Sequence, residues 1–266
     1  MGGMEELNLK LGRKTEEGSL DAVPRQLSRE KMDPLAPFFG YDLWNAYEVS
    51  FMTPTGKPAV YHMQAFYAAS TPNIVESKSF KLFLNSTNMR VFANLAAFAS
   101  EVKEALTACV GGPVQLTFYE PEQSPAVEII EADLLDQLEP RNLSDIYDPT
   151  LLRYVRWPYP YSYKSHLLRS NCPVTNQPDW GTVWIRGEGP LQPDPLMLLD
   201  YIISFRNHQD FHEACCETIF NDLFQLLSPD KLEVSCFYTR RGGLDINPYR
   251  STHNDFPITR ASFWRQ

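Results

Sequence analysis

Ser170-Asn171-Cys172-Pro173-Val174-Thr175-Asn176-Gln177-Pro178-Asp179-Trp180 sets a thiol and a carboxyl seven positions apart across a turn-rich loop, ahead of the strand-like run Thr182-Val183-Trp184-Ile185-Arg186. A faint copy lies 120 positions earlier in Thr53-Pro54-Thr55-Gly56-Lys57-Pro58, where Thr55 matches Thr175 and Pro58 matches Pro178. At the same offset Met52 falls opposite Cys172, and Ala59 opposite Asp179. Two hairpin loops of common origin, of which only the second carries reactive groups, imply a duplicated module.

Outward from the loops, each half spells strand, strand, helix, helix, strand. In the first half Trp44 to Phe51 and Val60 to Tyr67 alternate as hairpin partners. Asn73 is expected to cap a helix through Lys81 and Phe83. A second amphipathic run carries Val91, Phe92, Leu95, Phe98, Val102 and Leu106 to Gly111, and Val114–Tyr119 and Val127–Ile130 read as strands. In the second half Asp194-Pro195 opens a helix, with Asp as cap and Pro in the first turn. Phe211–Leu227 forms the next helix and Leu232–Tyr238 the returning strand. The expected class is α+β, with an N-terminal arm over 1–35, a first module over 36–150 and a second over 151–266.

A chain of 266 residues, 43% hydrophobic and 21% charged, can bury one full core or two smaller ones. The polar opening lacks the apolar segment of a secretory signal, no run has the length of a membrane span, and the cytosol is the expected compartment. Five cysteines without a Cys-x-x-Cys pair argue against a disulfide framework and a thiolate zinc site, so no metal is expected. A formal charge of -9 disfavours an extended phosphate-backbone contact, and no direct nucleic-acid binding is expected. Arg240-Arg241-Gly242-Gly243 is a local exception suited to one phosphorylated small molecule.

Each polar group also has a plain structural reading. A lone cysteine is commonly a small buried apolar residue, and an Asp after Pro commonly serves a turn. Glu76 suits a capping box with Asn73, and Lys78 and Lys81 suit a solvated helix face. His212 and Glu213 fit the first turn of a helix, where a carboxylate meets the positive dipole end. Cys215, Cys216 and Cys236 lie in apolar segments and read as core.

Four motifs in order carry a resemblance: Glu-Ser-Lys-Ser-Phe-Lys at 76–81, Ser-Asn-Cys-Pro-Val-Thr-Asn-Gln-Pro-Asp-Trp-Gly at 170–181, Ser-Phe-Arg-Asn-His-Gln-Asp-Phe-His-Glu at 204–213, and Tyr-Thr-Arg-Arg-Gly-Gly-Leu-Asp-Ile-Asn-Pro at 238–248. Together they resemble the two-module form of the QueF nitrile reductase family. That resemblance implies the tunnelling fold (T-fold), in which ββαα modules with antiparallel sheets join into a barrel on assembly, and a homodimer. It also implies reduction of the nitrile of 7-cyano-7-deazaguanine to an aminomethyl group, with two NADPH per turnover, on the path to the tRNA nucleoside queuosine. By the same resemblance Cys172 forms a covalent thioimide, Asp179 is the acid-base group and His212 assists proton movement. Glu76, Ser77, Lys78, His212 and Glu213 bind substrate, while Lys78, Ser79, Arg241 and Gly242 bind NADPH. Two other classes stay open on the residues alone: a cysteine-dependent nitrile or amide hydrolase, and a non-catalytic purine-binding protein.

Overall fold

The computed structural model describes residues 18–123, 128–141, 144–255, 263 and 266. Its contacts divide the chain into two units. Unit 1 takes residues up to Leu27, then Tyr41–Ala126 and Arg240–Ile246; unit 2 takes Ser28–Gly40, Val127–Thr239 and Asn247–Gln266. The class is α+β in both.

Unit 1 is built on the hairpin β2 (Phe39–Met52) and β3 (Pro58–Ala68), with β5 (Val114–Tyr119) antiparallel to β3 and the start of β12 (Leu244–Ser251) beside β2. The helices α2 (Ser77–Thr87) and α3 (Leu95–Val110) cover one face. That face is buried through Trp44, Phe51, Met63, Tyr67, Phe80, Phe98 and Leu106. The inward residues of β2 change parity along the strand, from Trp44 and Ala46 to Val49 and Phe51, because a bulge at Tyr47-Glu48 inserts one extra residue.

Unit 2 repeats the plan with β8 (Tyr161–Asn171), β9 (Pro178–Glu188) and β11 (Lys231–Tyr238), all antiparallel, and with α4 (Pro195–Ser204) and α5 (His212–Leu227) on the buried face. Asp194 caps α4 as expected, accepting from the Leu196 and Met197 amides. A bulge recurs in β8 at His166-Leu167, where the inward set passes from Tyr161 and Tyr163 to Leu168 and Ser170. β3 and β9 are both 11 residues long, and α3 and α5 both 16.

The two hairpins correct one sequence equivalence. In unit 1 Thr53 N–H donates to Lys57 O, and in unit 2 Cys172 N–H donates to Gln177 O. The isolated bridges beside them pair Met52 with Val91 and Asn171 with Gln209. Met52 is therefore the counterpart of Asn171, and Thr53 that of Cys172. The second loop is one residue longer, an insertion that a constant offset of 120 hides.

Two other expectations fail locally. Asn73 lies in the short strand β4 (Asn73–Val75), antiparallel to β1 (Ala22–Pro24), and the α2 cap is Glu76 itself. Val127 lies outside the described residues, and of 128–130 Glu128 makes a single β-bridge with no extended strand; the strand here is β6 (Asp133–Leu134), parallel to β8. Residues 1–17 of the expected arm also lie outside the described residues. Of the arm residues that follow, those up to Leu27 belong to unit 1, where Ala22 pairs with Val75 and Asp21 O accepts from the Glu76 amide, and those from Ser28 belong to unit 2. Among the described residues no helix is long and apolar enough to cross a membrane.

Candidate functional site

The residues singled out by sequence fall into two groups, one in each unit. In unit 2 the nucleophile candidate sits just past the end of β8. Ser170 pairs directly with Asp179, and Cys172 follows two residues after Ser170, just beyond the last strand pair, Asn171 with Pro178. The loop is held by backbone bonds from Cys172 N–H to Gln177 O and from Asn176 N–H to Cys172 O, and Asn176 takes a left-handed φ of 55°. The His208-Gln209 segment braces it: Asn171 N–H donates to His208 O at 2.8 Å, and Gln209 Nε2 donates to Asn176 Oδ1 at 2.7 Å. Cys172 is the one half-exposed cysteine among five, the other four being buried. Burial pushes the Cys109 thiol up to about 11 and raises Cys215 and Cys236 further still, so these sulfurs stay protonated and inert.

Asp179 is 3% exposed, and its Oδ2 lies 3.1 Å from His212 Nε2. His212 opens α5, Phe211 before it provides no side-chain cap, and Glu213 places a carboxylate in the first turn, at the positive end of the helix dipole. The imidazole is held by stacking on Tyr238, with centroids 3.8 Å apart at 15°. Tyr238 needs space on β9, where it faces Gly181; a Cβ there would come within 3.3 Å of the Tyr238 ring and of Phe237 O. Glu213 is 3% exposed in the same turn as His212. A thiol, an acid, an imidazole and a buried carboxylate thus share one end of the unit 2 sheet, a set suited to nucleophilic addition with proton transfer.

In unit 1, Glu76 is 6% exposed and caps α2, with Oε1 accepting from Lys78 N–H at 2.9 Å and Oε2 from Ser79 N–H at 2.7 Å. Each carboxylate oxygen has a second lone pair, so capping leaves acceptor capacity for a ligand. Ser79 is fully buried: its hydroxyl donates to Glu76 O and accepts from the Asp21 amide, so it fixes the turn that bears Glu76, Ser77 and Lys78. Ser77 and Lys78 are half-buried.

Gly242-Gly243 is a two-residue hairpin turn, closed by reciprocal backbone bonds between Arg241 and Leu244. Gly242 and Gly243 have φ of 58° and 84°, the paired left-handed values of a type I′ turn, which gives both glycines a conformational reason independent of any ligand. Lys81 lies against this turn, for a Cβ on Gly242 would meet Lys81 Cδ at 2.3 Å. Lys78 stands three residues earlier on the same helix face. Unit 1 therefore gathers Lys78, Lys81 and Arg241 around a glycine turn, and this cationic set fits a dinucleotide carrying several phosphates. Among the described residues no group of three or more His, Cys, Asp or Glu is arranged to hold a metal ion.

The sequence reading missed Tyr238 and Gly181, which hold His212 in place. An isolated glycine inside a strand pattern is a signal of close approach and marks Gly181 in retrospect.

Residues 13–118 match the family model described as nitrile reductase, 7-cyano-7-deazaguanine-reductase N-term, and residues 178–256 match the model of a QueF-like protein. The chain is 43% identical over 249 residues to an NADPH-dependent 7-cyano-7-deazaguanine reductase of Coxiella burnetii, covering 92% of this chain and 89% of that one. It is 46% identical over 243 residues to the reductase of the same name from Cupriavidus metallidurans, covering 87% and 86%. The crystal structure of the archaeosine synthase QueF-Like in the apo form is similar over 40% of this chain and 96% of its own, at 14% identity and a TM-score of 0.29. With both family models matched in order and such identity over most of its length, the chain belongs to the 7-cyano-7-deazaguanine reductase (QueF) family.

Proposed function

We propose that this chain is an NADPH-dependent nitrile oxidoreductase that reduces 7-cyano-7-deazaguanine to 7-aminomethyl-7-deazaguanine in queuosine biosynthesis. The observation that carries the reading is the buried contact of 3.1 Å between Asp179, on the hairpin that presents the half-exposed Cys172, and His212 at the start of α5, in a chain of this family. Cys172 sulfur adds to the nitrile carbon, one C–N π bond opens, and the nitrogen takes a proton from the Asp179–His212 pair to give a thioimide. NADPH, as co-substrate, supplies the hydride for each of two successive two-electron reductions. Departure of Cys172 as thiolate after the first reduction leaves an imine, and the same acid-base pair serves the proton needed at nitrogen in the second. Burial of Asp179 and His212 keeps water from the thioimide and the imine, both of which hydrolyse.

Glu213 and Glu76 are assigned to the N–H edge of the deazaguanine, since a carboxylate pairs well with adjacent donors, with Ser77, Lys78 and His212 beside it. Lys78, Arg241 and Gly242 are assigned to NADPH, and Ser79 acts by fixing their turn. The repeated strand order, the paired bulges and the helices of equal length support the T-fold reading, with modules over 36–150 and 151–266 that close a barrel in a cytoplasmic homodimer.

Anaerobic incubation of the full chain with 7-cyano-7-deazaguanine and NADPH tests the assignment. Two NADPH oxidised per amine formed is the expected result, with a mass adduct on Cys172 that is lost in Cys172→Ala. An acid or amide product without NADPH oxidation would make the chain a hydrolase, and binding with neither chemistry would make it a purine-binding protein.

A further inference from the structure

The unit 1 turn carries a second arginine with a more constrained setting than Arg241. The Arg240 guanidinium carbon lies 3.4 Å from the centroid of the Tyr47 ring, while the residue stays exposed. Tyr47 is itself fixed at three points, and its hydroxyl's partner Asp245 is fixed in turn. Its amide donates to Gly243 O at 2.9 Å, its hydroxyl donates to Asp245 Oδ2 at 2.6 Å, Asn45 Nδ2 secures the other Asp245 oxygen at 2.7 Å, and His62 stacks on the ring with centroids 4.6 Å apart. Burial and the Asp245 carboxylate hold the phenol protonated, so the bond to Asp245 persists across the physiological range. Tyr47 stands in the β2 bulge, which is what aims the ring at the turn.

A guanidinium whose carbon sits over a ring carries five N–H donors, more than the Tyr47 hydroxyl can engage, so donors remain for a ligand. Held this way, Arg240 loses little rotamer freedom on meeting an anion and can fork onto a terminal phosphate. The phosphates of NADPH differ in kind. Its bridging diphosphate groups carry one charge each and suit close backbone approach at a glycine turn, whereas its 2′-phosphate is a terminal monoester near two charges with three free oxygens. The turn offers a partner for each.

We infer that Arg240, held over Tyr47, binds the 2′-phosphate of NADPH and makes the enzyme select NADPH over NADH, with Tyr47 as its positioning residue. This rests on the NADPH-dependent reading above and on the turn being the cofactor's site.

Calorimetric titration of the full chain with NADPH and with NADH, in the absence of nitrile, tests the assignment apart from turnover. Arg240→Leu should weaken NADPH by about 10- to 100-fold, the loss of one charge-assisted contact, and leave NADH within about twofold. Tyr47→Leu should weaken NADPH several-fold with the same selectivity, while Tyr47→Phe, which keeps the ring, should restore most of the loss. Equal weakening of both dinucleotides by Arg240→Leu, or unchanged NADPH affinity, overturns the inference. Each protein is also tested for the Cys172 adduct with the nitrile. A wild-type chain that forms no adduct and binds neither dinucleotide refutes the proposed function, and this inference with it; an adduct with unaltered selectivity in Arg240→Leu refutes only the inference.

Discussion

Replacing His212 by Phe should separate the proton-handling role of the imidazole from its packing role. The ring sits on Tyr238 at 3.8 Å and 15°, a stack that Phe reproduces at similar volume, so the packing is kept and the unfolding free energy should fall only by the lost Asp179 contact, about 1–3 kcal/mol. What Phe cannot reproduce is the 3.1 Å contact from Nε2 to Asp179 Oδ2. The side chains there are 8% and 3% exposed, so water does not replace the lost partner. A hydrogen bond to a charged group is worth about 1.5–3 kcal/mol, which at about 1.36 kcal/mol per decade corresponds to a rate loss of roughly 10- to 150-fold. The assay pairs NADPH oxidation under saturating substrate with urea unfolding of the same preparation. A rate within twofold of wild type would refute the reasoning, and so would a stability loss large enough to account for the slower rate.

Three further outcomes are expected. Glu76→Ala should lower unfolding free energy by about 1 kcal/mol through the lost cap, and Glu76→Ser should restore that stability without restoring affinity for the cyano substrate; wild-type affinity in the Ser variant would reduce Glu76 to a cap. Glu217 accepts from Arg29 and from Arg250, whose side chain is fully buried, so Glu217→Ala should cost about 3–5 kcal/mol, read as a fall in thermal midpoint of roughly 6–20 °C. His208 Nε2 has no hydrogen-bond partner among the described residues, and burial lowers its pKa, Asp210 opposing and Lys31 reinforcing. Below roughly pH 6.5 the unfolded chain therefore takes a proton that the folded chain refuses, and stability falls as pH falls. Urea midpoints from pH 8 to pH 5 should decline less in His208→Phe than in wild type; parallel declines would show that this ring is not responsible.

Much of the fold was legible because turn chemistry and strand periodicity are local. Pro58 and Pro178 each open the return strand, and Asp194-Pro195 opens a helix as read. The bulges were less visible, though the parity change from Ala46 to Val49 and from Tyr163 to Leu168 was present in the sequence. Only pairing shows which residue is extra, and without it Met52 was aligned with Cys172 in place of Thr53. Asn73 and Glu76 are both capping residues by type; the choice between them fell to β1, a partner distant in sequence that draws residues 73–75 into a strand. At the candidate site the reactive groups and the basic Arg240-Arg241 pair announced themselves by type, whereas Tyr238 and Tyr47 act through stacking, which leaves no spacing signature along the chain.

The bond from Cys172 N–H to Gln177 O has a chemical consequence. Many acyl-transfer enzymes use the nucleophile's own amide as one arm of an oxyanion hole, so that a tetrahedral intermediate survives as an anion until its leaving group departs. Here that amide is already tied into the hairpin and is not free to shelter developing charge on the substrate's nitrogen. If Cys172 adds to the nitrile as proposed, neutralisation has to keep pace with sulfur attack, which would make adduct formation itself subject to general-acid catalysis and set it apart from the first bond-making event of thiol hydrolases.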